Sequence, residues 1–343
     1  MKRQVKHLMI SAAALLLVAA PAVHVDAWGN TGHRLIGVAA MRALPDDLPA
    51  FLKSPGAIAD VGELSREPDR WKGAGQPHDR ERDTAHFIDL DDNGYAMTGK
   101  GPHIDNLPRL KSDFDTALIQ AGIKIDEVGY LPYAMMDAWQ NLGRDFAYWR
   151  VLTAAEAREL DPGKKAWYRA DRVRREALIL RDIGELSHYV GDGSQPHHLS
   201  IHFNGWGDYP NPEGFTNSRR THGIFEGEFT SRVARLDVVE AAMSEPQLDR
   251  FDLRARTARY LETSHGTVIP FYRLEKDGGF RDNDPRGGAF VIERLAAGAS
   301  ELRDLVILSW RESATASIGW PAVKVVEVEA GMVDPWLSMI GED

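Results

Sequence analysis

The 343-residue chain contains no cysteine. Thiol nucleophiles, thiolate metal ligands and disulfides are therefore excluded, and any transition metal must be held by imidazole, carboxylate or backbone groups. A basic excess is missing too. The formal net charge is −10, which argues against a duplex-DNA binder with its usual basic stripe. It leaves room for a metal-centred site acting on an anion, because cations neutralise the acidic ligands that hold them. After Leu8–Ala20, no stretch is apolar and long enough to span a bilayer. Alternating strand patterns, internal repeats and low-complexity segments are also lacking.

The N-terminus carries a different signal. Lys2, Arg3 and Lys6 form a basic start, Leu8–Ala20 is an apolar run that Pro21 breaks, and Val25-Asp26-Ala27 suits a signal peptidase. This is the plan of a cleaved secretory signal over residues 1–27. Cleavage between Ala27 and Trp28 predicts an exported protein, periplasmic or secreted, without stable membrane insertion. The mature chain of about 316 residues, net charge about −12, is long enough for a substantial core.

Apolar residues recur at helical spacing over 33–44, 109–121, 131–150, 166–191, 222–235, 252–275 and 289–311. Polar, Gly/Pro-rich loops are expected at 72–84, 89–107, 193–221 and 276–288. The fold class is therefore all-α, a single mainly helical domain over 28–312, with 313–343 as a C-terminal tail packed on or near it. "DLDDNG" at 89–94 imitates the start of a calcium loop, but its twelfth position is Lys100 where such loops carry Glu, so it reads as a polar turn.

The histidines carry the functional signal. His188 and Asp192 lie four apart near the end of the longest expected helix and share a face, as do His222 and Glu226. His198 follows Asp192 by six residues, "PDRW" offers Asp69, and "AHFID" offers His86. Two such nitrogen–carboxylate pairs are what a borderline-soft cation takes from rigid helices. Alone, a His-x-x-x-Asp pair such as His188–Asp192 is more often a surface pair than a ligand set, and His222 with Glu226 reads equally well as a solvated helix pair.

Together, "WGNTGH", "PDRW", "HFID", "HYVGDGSQPHH" and "HGIFE" resemble the ligand segments of the zinc-dependent phospholipase C and single-strand nuclease superfamily, whose nuclease branch is the S-one/P-one type. The resemblance runs from Trp28 to Glu226. It implies a helical zinc hydrolase with three zinc ions per chain. Asp69, His86, His188 and Asp192 would hold one. The free α-amine and carbonyl of Trp28, with His33 and the second oxygen of Asp192, would hold another close by. His198, His222 and Glu226 would hold the third. The Trp28 ligand would exist only after signal cleavage, and a metal readily displaces the proton of an α-amine. His197 has no ligand counterpart; His78, His103, His202 and His265 have no match and are expected at the surface or in packing.

The implied activity is phosphodiester hydrolysis by a zinc-bridging hydroxide. Asp69 and Lys72 would be catalytic, Lys72 standing where the nucleases carry an arginine; lysine keeps the charge and loses the planar fork. Phe87 and Asp89 would bind substrate, by stacking on and hydrogen-bonding a nucleobase. The short Trp28–His33 gap and the long His198–His222 loop resemble the nuclease branch, acting on single-stranded nucleic acid or nucleotides. Glu226, where the nucleases use Asp, and the missing Gly-Gly-Asn string resemble the phospholipases, so phospholipid is the alternative substrate. A non-catalytic zinc-binding protein is the remote third reading. Phe203, Trp206, Tyr209 and Phe215 could form one wall of the cleft or tuck onto the core.

Overall fold

The computed structural model describes residues 28–97, 99–249 and 252–341, Arg80 by its backbone alone; the expected leader, residues 1–27, lies outside the described residues. The longer helices are α1 (Gly29–Arg42), α2 (Pro55–Leu64), α3 (Lys111–Gln120), α4 (Leu131–Arg158), α5 (Pro162–Ser194), α6 (Leu253–His265), α7 (Val268–Lys276) and α8 (Pro285–Ser313). The sheet content among the described residues is one hairpin of two-residue strands, β1 (Ser317–Ile318) and β2 (Val323–Lys324), besides isolated bridges. The fold is all-α.

Caps explain where the helices begin. Ser54, Asp161 and Asp284 each precede a proline, and each side chain accepts a first-turn N–H, from Ala57, Lys164 and Arg286. This places the start of α5 ahead of its apolar period and creates α2, a helix that periodicity alone did not predict. The expected helix over 252–275 is two helices. Pro270 lacks an N–H and its ring would strike the carbonyl of Gly266 in a continuous helix, so the chain restarts at Val268. The segment 222–235 is also broken up, with a π-helical turn over Ile224–Phe229.

α4 and α5 pack along each other as a hairpin, and α8 lies against both and against α1. Leu142, Phe146, Ile179, Ile183, Leu186, Leu302 and Leu305 fill the centre of this bundle and are fully buried. α1, α2, α6 and α8 surround α5, so its last turns are walled on several sides. No helix among the described residues is long and apolar enough to cross a membrane.

The segment after Ser313 packs on the hairpin. Trp336 meets Trp167 and Tyr168 edge-on, with ring centroids 5.4 and 5.5 Å apart. Arg150 of α4 donates to Ser313 Oγ and Glu329 Oε1, both at 2.9 Å. Trp167 lies near the start of α5 and His188 near its end, about 31 Å apart along the helix axis. The tail thus sits far from the histidine cluster.

Candidate metal centre

Asp192 is the hub. It and His188 project from the last turns of α5, fully buried. His188 Nδ1 donates to the Ser65 carbonyl at 2.8 Å, so its Nε2 is turned inward, 2.9 Å from His86 Nδ1 and 3.3 Å from Asp192 Oδ2. His86 ends the 3-10 turn Asp83–His86, with Nδ1 3.1 Å from the same Oδ2. Asp69, on the turn Pro68–Trp71, places Oδ1 3.7 Å from His188 Nε2. His33 of α1 stacks on His188 at 4.0 Å and points Nε2 at Asp192 Oδ1, 3.6 Å away. Two ring nitrogens converging on one carboxylate need a proton or a cation between them.

A second cluster adjoins it. His198, on the 3-10 turn Pro196–Leu199, donates from Nδ1 to the His86 carbonyl at 2.6 Å, leaving Nε2 3.8 Å from Glu226 Oε2. His222 Nε2 lies 2.7 Å from that same oxygen. The π-helical turn carries Glu226 inward, a device found often at functional sites. Three sets therefore have ligand atoms within 4.8 Å of one another: His33–Asp69–His188, His86–His188–Asp192 and His198–His222–Glu226.

The electrostatics suit cation binding. Burial, aided by the nearby His188, lowers His33 to about 3. Burial also lowers His86 to about 4. Both rings are therefore neutral, the form that ligates metals. Burial works against the charge of Asp192, but His188 and His198 hold its carboxyl well below the ordinary range. Burial likewise opposes the charge of Glu226, and His222 and His198 outweigh it. Both nitrogens of His33, Asp192 Oδ1, His198 Nε2 and Glu226 Oε1 are buried without hydrogen-bond partners. Buried polar atoms are normally satisfied, so this concentration fits cations held by nitrogen and oxygen donors.

A cleft of about 620 Å³ opens above the clusters, with His86, His198 and His222 in its lining. Lys72 also lines it, with Nζ 2.6 Å from Asp69 Oδ1. Burial disfavours the Lys72 charge, but Asp69 and Asp192 outweigh it and raise its pKa. Phe87 and Asp89 also line the cleft. Gly129, at φ 85°, lets the chain pass Phe87; a Cβ there would fall 2.1 Å from the Phe87 carbonyl oxygen. Burial pushes the Asp89 carboxyl well above the ordinary range, and its Oδ1 has no partner.

No protein-family model matches this chain, and no curated protein matches it. Its site stands on its own geometry.

The structure brings together His33, Asp69, His86, His188, Asp192, His198, His222 and Glu226, with Lys72, Phe87 and Asp89 around the same cleft. By distance His188 belongs to two of the sets, while His33 lies near both His188 and Asp192, and Asp69 near both His188 and His86. Trp28 arrives through its indole. The ring is fully buried, donates to Ser194 Oγ at 2.8 Å and leans on Phe225, while its carbonyl accepts the Gly32 N–H. Of the four loop aromatics, Phe203 and Tyr209 line the cleft, whereas Trp206 and Phe215 are buried. His202 is a packing residue stacked on Trp206 at 3.7 Å. His197 belongs to none of the three sets; its ring stacks on His222 at 4.9 Å. Spacing gave no sign of Gln195, whose Nε2 donates to Glu226 Oε2 at 3.0 Å and whose Oε1 accepts the His197 N–H.

Proposed function

We propose that the chain is a zinc phosphodiesterase of the phospholipase C and zinc nuclease type, exported and cleaved ahead of Trp28, that hydrolyses phosphodiester bonds in single-stranded nucleic acid or nucleotides. One observation carries the reading: a sulfur-free His/Asp/Glu cluster floors a cleft whose wall bears an aromatic ring beside a buried carboxyl. The side chains of His33, Asp69, His86, His188, Asp192, His198, His222 and Glu226, with the amine and carbonyl of Trp28, would hold three zinc ions. Zinc at these positions would supply Lewis acidity toward a phosphoryl group and acidify water.

The chain's own groups do the rest. Asp69 would orient an attacking water and accept its proton at a carboxylate oxygen. The Lys72 ammonium, held beside Asp69, offers positive charge to the phosphoryl oxygens. Phe87 supplies a stacking face, and Asp89 a hydrogen-bonding group in an apolar setting. The phospholipase reading rests on Glu226 in the third set. The test is a side-by-side assay of the zinc-loaded chain beginning at Trp28 on single-stranded DNA, RNA and phosphatidylcholine. Hydrolysis of the nucleic acids alone supports the proposal; hydrolysis of the lipid alone replaces it.

A further inference from the structure

The segment after Ser313 forms a layer on α4 and α5 that is apolar on both faces. Ile318, Val325 and Val328 are buried with Ala147 and Val151 of α4, and Trp336 meets Trp167 and Tyr168 of α5. Trp320, Val326, Met332, Leu337 and Ile340 are exposed, as is Leu160 in the turn between the two helices. Among the described residues the three most exposed large apolar ones all lie here: Leu160 at 93%, Trp320 at 76% and Met332 at 75%. The Trp320 N–H donates to the Ser338 carbonyl at 3.2 Å, which sets the turn between β1 and β2 beside the short helix Trp336–Ile340. The Met332 N–H donates to the Glu327 carbonyl at 2.9 Å, next to Val326. A groove of about 330 Å³ opens on the same surface, lined by Leu160, Val333 and Pro335, with the buried Tyr168 hydroxyl in its wall and without a hydrogen-bond partner.

We propose that this face is the interface between two copies of the chain, joined about a two-fold axis. Single exposed apolar residues are ordinary, but a cluster of this kind marks a contact surface. At these exposures the six residues leave on the order of 800 Å² open, which matches what one partner contributes to a standard interface. A two-fold contact needs a surface that complements itself. Here the projecting Leu160 and Met332 stand on the same face as a groove that receives an apolar side chain, Met332 lying between the lining residues Gly331 and Val333. The charged residues of the groove are engaged within the chain. Arg158 donates to the carbonyls of Val328 and Glu329, Glu159 Oε1 accepts the N–H groups of Leu160 and Asp161, and Asp334 Oδ1 accepts that of Trp336. A lipid surface fits less well, because anionic headgroups recruit clustered free lysines and arginines. Lys324 is paired with Glu327 at 3.3 Å, and Lys164 lies over the Trp336 ring at 4.9 Å. The face meets the start of α5, about 31 Å along that helix from His188, so the proposal stands apart from the reaction proposed above.

The test is sedimentation equilibrium of the chain beginning at Trp28, sampled from about 1 to 100 μM. A dimer with a dissociation constant of about 10 μM or tighter is expected, within the range that interfaces of this size span. The double substitution Leu160→Glu, Met332→Glu puts carboxylates into the contact and should raise that constant at least about a hundredfold. Both residues are exposed, so the circular dichroism spectrum should stay unchanged. Ile119→Glu, at an exposed position on α3, should leave the dimer as it is. A chain that stays monomeric at about 100 μM overturns the proposal. So does a dimer that the double substitution leaves intact, or that Ile119→Glu also dissociates. A monomer that binds phosphatidylcholine vesicles, and loses that binding in the double variant, overturns it in favour of a lipid surface.

Discussion

Stripping the proposed zinc sites of metal should cost this protein most of its stability. Seven buried atoms of the cluster have no hydrogen-bond partner, and five of them also lack an ion-pair contact shorter than 3.6 Å: Nδ1 and Nε2 of His33, Asp192 Oδ1, His198 Nε2 and Glu226 Oε1. An unsatisfied buried polar atom costs about 1–3 kcal/mol, so the five together cost ~5–15 kcal/mol. That range equals the whole stability of a typical domain, about 5–15 kcal/mol. The cluster also joins α1, α5 and the turns carrying Asp69, His86 and His198, so the cost falls on the centre of the molecule. Chelation should lower the melting temperature by at least ~10 °C, followed by circular dichroism with metal content checked by elemental analysis. Re-addition of zinc should restore it. A chelated protein shown to be metal-free, yet melting within a degree or two of the loaded form, would refute the reasoning.

Three further outcomes are expected. Burial, together with the charge of neighbouring Asp145 and a hydrogen bond to it, raises Asp182 to about 7 in the folded chain. Its destabilising effect is therefore absent below the unfolded value near 4, grows by ~1.4 kcal/mol per pH unit, and is complete above 7; Asp182→Asn should flatten this slope in urea titrations across the pH range, and an unchanged slope would assign it elsewhere. Gln195→Ala removes the donor that holds Glu226 and should loosen the His198–His222–Glu226 set alone, so elemental analysis showing loss of all bound metal would contradict separate sets. A chain beginning Met-Gly-Trp28 should fold and keep about two of the three proposed zinc ions but lose the third and most of its activity relative to one beginning at Trp28, since an amide nitrogen is a poor ligand; equal metal content in the two would leave the indole's packing as the sole role of Trp28.

The sequence determined the helical class and pointed to most members of the His/Asp/Glu cluster, because both rest on local spacing. Residues four apart on a helix must share a face, so His188 with Asp192 and His222 with Glu226 were legible before any fold was known. Helix boundaries were less legible where caps and prolines override the apolar period. Ser54-Pro55 starts α2, and Pro270 divides α6 from α7. Tertiary structure alone decided how the sets share their members. The turn of His188 toward His86 depends on the Ser65 carbonyl, 123 residues away in the chain. Gln195, at the end of α5, meets Glu226 on the π-helical turn 31 residues later, and Trp28 is anchored by Ser194, 166 residues later. Spacing records which residues share an element; which elements face one another is fixed by burial of apolar surface across the whole chain.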